Sequence, residues 1–259
     1  MWKYKINATM NVRAVKTEKV LPSVKTIFEI LDESLDDIKE GSVVVISSKI
    51  VALCEGRVAD AHKTDKEELI RNESDYYLPA TISKYGYHFT ITRNTLISVA
   101  GIDESNSGGD FYVLWPKDPQ ETANDVRHYL LKKFGLKELG IVITDSTSMP
   151  MRRGTVGIPI GYSGFKATNN YVGTPDLFGR DFTVSHGGVA IGLAATGVLA
   201  MGEGTEQTPI VVIEDFPLVQ FEDNDPTAEQ IAELYIDPKE DLYEPFISKA
   251  NWQKGGRSK

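Results

Sequence analysis

Ile141-Val142-Ile143-Thr144-Asp145-Ser146 decides how the chain is read: a β-branched run ends in a carboxylate and a hydroxyl. A short apolar run of this kind reads as a buried strand. Val43 to Ile46 and Ile210 to Ile213 repeat the pattern. Between these runs lie helical signals. In Asp118-Pro119-Gln120-Glu121, Asp118 caps, Pro119 suits the first helical position and Glu121 completes a capping box. Ala123, Val126, Leu130 and Phe134 then share a face, and Gly135 ends the helix. A second helix is expected from Ser23 to about Leu35, with Val24, Ile27, Phe28 and Leu31 on its apolar side. A third, Val189 to Met201, carries no charge and is expected to be buried. Thr227-Ala228-Glu229-Gln230 offers another capping box, and residues 255–259 are expected to fray.

With 259 residues, 41% apolar and 25% charged, the chain has the makeup of a globular protein with a core of its own. It is read as a single unit over 1–259, built from two intertwined subdomains, since neither a linker nor an internal repeat is visible. A net charge of −9 argues against a nucleic-acid surface, which needs clustered Lys and Arg. Any bound phosphate should be small and locally neutralised. A single cysteine, Cys54, forms no internal disulfide, and no apolar run reaches the roughly 20 residues that span a bilayer. A cytoplasmic location and no membrane partner are therefore expected.

Asp145 and Ser146 supply a carboxylate and a hydroxyl from adjacent positions, as hard cations such as Mg²⁺ require, although the pair equally suits a cap or turn. The loop Asp103-Glu104-Ser105-Asn106-Ser107-Gly108-Gly109 either joins that metal and a nucleotide or is an Asx-type turn. Met201-Gly202-Glu203-Gly204-Thr205-Glu206-Gln207-Thr208 links the uncharged helix to a strand. Its N–H and O–H groups suit phosphates and Glu203 suits a cation, but Gly202 also fits a helix C-cap. It lacks the Gly-Lys-Ser/Thr of a Walker loop. Ser48 and Lys49 follow the first strand, where ligands gather in open sheets. Arg152 and Arg153 stand close to Asp145 in sequence, and one of them is expected to hold a carboxylate or phosphate. His62, His88, His128 and His186 show no paired metal spacing. The segment 151–206 holds 12 of the 22 glycines, which reads either as turns or as backbone brought close to a ligand.

In order along the chain, Leu21-Pro22, Val43 to Gly56, Ala100 to Asn106, Ile143-Thr144-Asp145, Arg153 to Gly157, Ile160-Gly161, Asp176 to Arg180 and Met201 to Gly204 resemble the coenzyme F420-0:γ-glutamyl ligase family. The resemblance implies an α+β fold with a mixed sheet, and a homodimer. It also implies a GTP- or ATP-dependent γ-glutamyl ligase that joins L-glutamate to a carboxylate-bearing cofactor through an acyl phosphate. Two Mg²⁺ or Mn²⁺ sites are implied, Asp103 with Asp145 and Ser146 with Glu203, together with a possible monovalent cation. Nucleotide contacts carry over to Leu21, Pro22, Ser23, Val24, Ser48, Lys49, Asn106, Met201, Gly202, Glu203, Gly204, Thr205, Glu206, Gln207 and Thr208. Arg152 or Arg153 is the candidate for stabilising the tetrahedral oxyanion.

The chain departs from the family pattern at several places. Leu53 stands where relatives often carry a lysine, Thr147-Ser148-Met149 replaces a Gly-Arg segment, Ile191-Gly192 replaces an acidic pair, and Glu214 to Pro217 replaces an Arg-Gly continuation. These departures keep two alternatives open, the same ligation on folate or another cofactor, and a nucleotide- or cofactor-binding protein without catalysis.

Overall fold

The computed structural model describes residues 9–258. Strand β1 (Asn11–Val15) leads to helix α1 (Ile27–Ser34), then β2 (Ser42–Ser47) runs directly into α2 (Ser48–Cys54). A peripheral stretch follows, with β3 (Val58–Asp60), α3 (Lys66–Glu73), β4 (Tyr76–Leu78), β5 (Phe89–Thr92), β6 (Thr95–Ser98) and β7 (Phe111–Val113). The chain then returns through α4 (Pro119–Phe134), β8 (Leu139–Ser148) and β9 (Thr155–Ser163). A hairpin of β10 (Thr168–Asn170) and β11 (His186–Gly188) precedes α5 (Val189–Met201) and β12 (Ile210–Glu214). Two short helices, α6 (Ala228–Ala232) and α7 (Glu244–Ile247), and strand β13 (Gln253–Lys254) finish it.

The three β-branched runs become neighbours in a five-stranded mixed sheet of order β1-β12-β2-β8-β9. Only β2 and β8 are parallel. Their side chains alternate between two cores, as strands covered on both faces require. Val44, Ile46, Ile141 and Ile143 pack with α1 and α4 through Leu31, Ala123, Val126 and Leu130. Val43, Val45, Val142, Val211 and Ile213 face α5 through Ala190, Leu193 and Ala194. A second sheet, of order β13-β4-β5-β6, lies to the side. The fold is α+β with mixed sheets.

Helix α4 starts and stops where its sequence dictates: the Asp118 carboxylate accepts from the Gln120 and Glu121 amides, and Gly135 closes it at φ 68°. Glu121 makes no returning bond, so Asp118 caps alone. Helix α1 begins later than expected because Thr26, not Ser23, caps it, in a reciprocal box with Glu29. Ser23 sits at φ 56° and Val24 is exposed. The capping box at Thr227 and Gln230 forms as read.

One other expectation is corrected. Helix α5 is buried on one face only. It covers the sheet with Leu193, Ala194, Gly197 and Met201, while Leu199 is 85% exposed because nothing in the described residues packs over it. The glycines of 151–206 serve helix-on-sheet contact as well as turns. A Cβ on Gly157 would stand 2.2 Å from the Ala194 carbonyl oxygen, and one on Gly161 would stand 2.3 Å from that of Pro119. In the tail, the Gly255 amide donates to Asp75 O and that of Arg257 to Ser74 O. Lys259 lies outside the described residues.

Candidate functional site

The sheet order explains why distant segments meet. Because β2 and β8 are parallel, their carboxyl ends share one edge, delivering Ser47-Ser48-Lys49 and Thr144-Asp145-Ser146 side by side. Strand β12 is antiparallel to β2, so its beginning, with the loop 202–209 before it, lies at the same edge. Strand β1 is antiparallel to β12 and adds Thr17 to Val20 there. The Ser47 amide donates to Pro209 O and that of Thr17 to Gln207 O, both at 2.9 Å. Together with the Asp103 loop these segments line an open cavity of about 500 Å³.

Asp145 sits just past a register shift in the β8–β9 pairing, where Ile143 faces Gly161 and Thr144 faces Pro159, leaving Ile160 as the extra residue. Such bulges re-aim side chains at strand ends. Burial pushes the Asp145 carboxyl up to about 6, helped by the negative charge of Asp103. Hydrogen bonds from the Trp115 indole, the Ser146 amide and the Ser48 hydroxyl act the other way. Trp115 Nε1 donates to Asp145 Oδ2 at 2.5 Å.

Asp103 reaches the cavity from the connection between β6 and β7. Its backbone pairs with Val113, and its carboxylate accepts from the Ser105 amide at 2.6 Å and meets Lys49 Nζ at 2.5 Å. Lys49 also donates to Ser105 Oγ at 2.8 Å. Asn106, at φ 57°, donates through Nδ2 to Gly204 O at 3.2 Å and so ties this loop to the Gly202–Pro209 turn. The entry to the Asp103 loop is strained: Val99 and Ala100 have φ of 49° and 56°, a region costly for a β-branched residue. Across the cavity, Thr155 Oγ1 donates to Glu203 Oε1 at 2.7 Å, and Gln207 takes φ 60°.

The expected residues thus divide. Lys49, Asp103, Asn106, Asp145, Ser146, Met201 and the whole of Gly202 to Thr208 line one cavity. Ser48 is buried beside it, against Asp145. Leu21, Pro22, Ser23 and Val24 are not in the lining, which takes Thr17 to Val20 instead. Arg152 and Arg153 stand outside it too, exposed in the β8–β9 turn, with Arg152 donating to Met151 O. The cations that do line the cavity are Lys19 and Lys49. Leu53 joins Val20 and Ile50 as an apolar wall. Trp115 escaped sequence reasoning entirely, since nothing in Leu114-Trp115-Pro116 points to a distant aspartate.

Among the described residues no three His, Cys, Asp or Glu side chains converge as a closed metal cage. The donor set still fits a hard cation. Two carboxylates, Asp103 and Asp145, interact unfavourably while one of them is desolvated, the Ser48 hydroxyl reaches Asp145, and Ser146 lines the same cavity. Mg²⁺ is commonly held in just this way, by one or two carboxylates, with waters and substrate phosphates completing its shell.

The fold and site thus define an α+β protein whose sheet edge gathers carboxylates, hydroxyls and a glycine-rich turn around a polar cavity. The signature of the F420-0:gamma-glutamyl ligase family matches residues 14–215, and the chain belongs to that family. It is 34% identical over 196 residues to the coenzyme F420:L-glutamate ligase of Methanocaldococcus jannaschii, covering 68% of this chain and 76% of the relative. The proteins of that name from Methanopyrus kandleri and Methanothermobacter thermautotrophicus are 30% and 31% identical. These matches cover 79% and 74% of this chain, and 86% and 81% of the relatives. Among the described residues no helix is long and apolar enough to cross a membrane.

Proposed function

We propose that this chain is a nucleotide- and divalent-metal-dependent ligase that forms an amide bond between L-glutamate and a carboxylate of a coenzyme F420 precursor. The observation that carries the reading is the convergence of Asp103, Asp145 and Lys49 opposite the Gly202–Pro209 turn, in a chain whose relatives are named coenzyme F420:L-glutamate ligases. A carboxylate oxygen is a poor leaving group, so the acceptor carboxylate first attacks the nucleotide γ-phosphorus, giving an acyl phosphate and a nucleoside diphosphate. The glutamate α-amine then attacks the acyl carbon, loses its proton, and inorganic phosphate leaves.

Each group of the chain has a place in this scheme. The hydroxyl of Thr205 and amides of this turn other than that of Gly204, which donates to Glu206, are suited to phosphate oxygens, while Lys49 supplies fixed positive charge next to Asp103. Asn106 holds the two loops in one arrangement. Asp103 with Asp145, and Ser146 with Glu203, would hold two Mg²⁺ or Mn²⁺ ions, whose chemistry is to neutralise phosphate charge during transfer. The apolar wall of Val20, Ile50 and Leu53 is suited to a nucleobase.

The working form proposed is a homodimer, as the family resemblance implies, and Leu177, Phe178 and Leu199, each at least 85% exposed, are available to an interface. Light scattering should return twice the chain mass. The activity is tested by incubating the protein with Mg²⁺ or Mn²⁺, GTP or ATP, glutamate and a panel of acceptor cofactors. The expected product is heavier by one glutamyl residue. No product and no glutamate-dependent nucleotide turnover with any acceptor would overturn the reading.

A further inference from the structure

Trp115 makes an unusual investment of a large aromatic. It is 4% exposed, and its indole N–H ends on the carboxylate Oδ2 of Asp145 at 2.5 Å. Two neighbours hold it there. A Cβ at position 101 would stand 2.1 Å from Trp115 Nε1, so Gly101, at φ 73°, leaves the gap through which the indole passes. Arg57 Nε donates to Trp115 O at 3.1 Å, and Arg57 is itself fixed by Glu73 at 2.7 Å. Gly101 lies two residues before Asp103, so one packing contact relates the loop that carries Asp103 to the ring that holds Asp145.

We propose that Trp115 is a positioning residue, whose indole N–H fixes the rotation of the Asp145 carboxylate and, through Gly101, its spacing from Asp103. The inference rests on the ligase reading above and adds a residue to it. An indole N–H donates but never accepts and carries no charge, so it orients a carboxylate without competing as a cation. It occupies one oxygen and leaves the remaining acceptor capacity to Ser48, the Ser146 amide and whatever enters the cavity. Partners of this kind, one step behind a metal ligand, typically carry about 10–100-fold in metal affinity or activity.

The test compares the parent protein with Trp115→Phe, which keeps an aromatic ring and removes the donor. A second variant carries the benzothiophene analogue of tryptophan at position 115, which keeps shape as well. Mn²⁺ binding to the nucleotide complex is followed by the loss of free-Mn²⁺ paramagnetic resonance, alongside kcat and KM for nucleotide. Expected is an at least tenfold weaker Mn²⁺ affinity and a similar fall in kcat in both variants, with nucleotide KM within about threefold of the parent. Should Trp115→Phe fail to fold, the benzothiophene variant decides. Unchanged Mn²⁺ affinity and kcat in a folded variant, beside an active parent, would overturn the positioning role alone. A parent that neither binds Mn²⁺ nor ligates glutamate would overturn the ligase reading and this inference with it.

Discussion

Asp145 and Asp103 are delivered to the same cavity by opposite means. Asp145 rides on a ten-residue interior strand of the main sheet, braced by α4 on one face and α5 on the other. Asp103 rides on a connection entered through Val99 and Ala100 at positive φ, and is held by Lys49, Ser105 and a two-residue bridge to Val113. The sheet side is positioned by burial, which is cooperative and expensive to disturb. The loop side is positioned by a few polar contacts over strained backbone, which are easily altered without unfolding anything. Mutations on the two sides should therefore separate stability from activity in opposite patterns.

The strongest break comes from Asp145→Asn. Turnover should fall at least 1000-fold if the carboxylate holds a cation on phosphate, a loss of about 4 kcal/mol or more in transition-state stabilisation. Stability should move the other way in metal-free protein. The folded carboxyl stands near 6 against an ordinary 3.8, so folding disfavours its ionised form, and the parent loses stability as pH rises from about 4 through 6. The asparagine variant escapes this loss and should be more stable above pH 6 by up to about 3 kcal/mol. Urea unfolding of both proteins across that window measures the difference.

Gly157→Ala attacks the sheet side through packing alone. Its methyl would meet the Ala194 carbonyl at 2.2 Å and Val198 at 2.7 Å, pushing α5 from β9. A cost of about 3 kcal/mol is expected, with a melting temperature lower by roughly 6–12 °C. Activity should fall as well, because α5 leads directly into the Gly202 turn.

Asn106→Ala is the loop-side counterpart. It removes the bond to Gly204 O and leaves alanine at φ 57°, so stability should change by only about 1 kcal/mol. Nucleotide affinity should fall about tenfold or more, read by calorimetric titration. A large stability loss with intact affinity would collapse the contrast between the two sides.

The smallest effect concerns Cys54, at the end of α2. Burial first, then the charges of Glu55 and Glu29, push its thiol up to about 11. Iodoacetamide at pH 8 should therefore modify it at least about tenfold more slowly than free cysteine, and at an ordinary rate in urea. Fast alkylation of the native protein would show that α2, the helix that carries Lys49, opens freely.

What could be read from residues alone follows the same division. The three apolar runs and the capped α4 were legible because each signal is local, and a carboxylate at the end of a buried strand is an unusual neighbour. Asp103, Asn106 and the Gly202 to Thr208 turn were found from resemblance more than from chemistry, since Asp, Asn, Ser and Gly also make ordinary turns. Trp115 and the packing roles of Ile160, Gly157 and Gly161 were invisible, because each acts on a partner at least 30 residues away or through another strand. Arg127, which no local pattern singles out, is 1% exposed and donates to the carbonyls of Leu139, Glu222 and Asp223, clasping the segment after β12 to the start of β8.

Both sides of the comparison meet in a single observable, the position of a bound cation. Crystals of the protein with Mn²⁺ and GTP, examined at a wavelength where manganese scatters anomalously, would place it directly. The account predicts an anomalous peak within coordinating distance of both Asp103 and Asp145, with the nucleotide phosphates against the Gly202 to Thr208 turn. Manganese bound elsewhere, or a nucleotide outside this cavity, would contradict it.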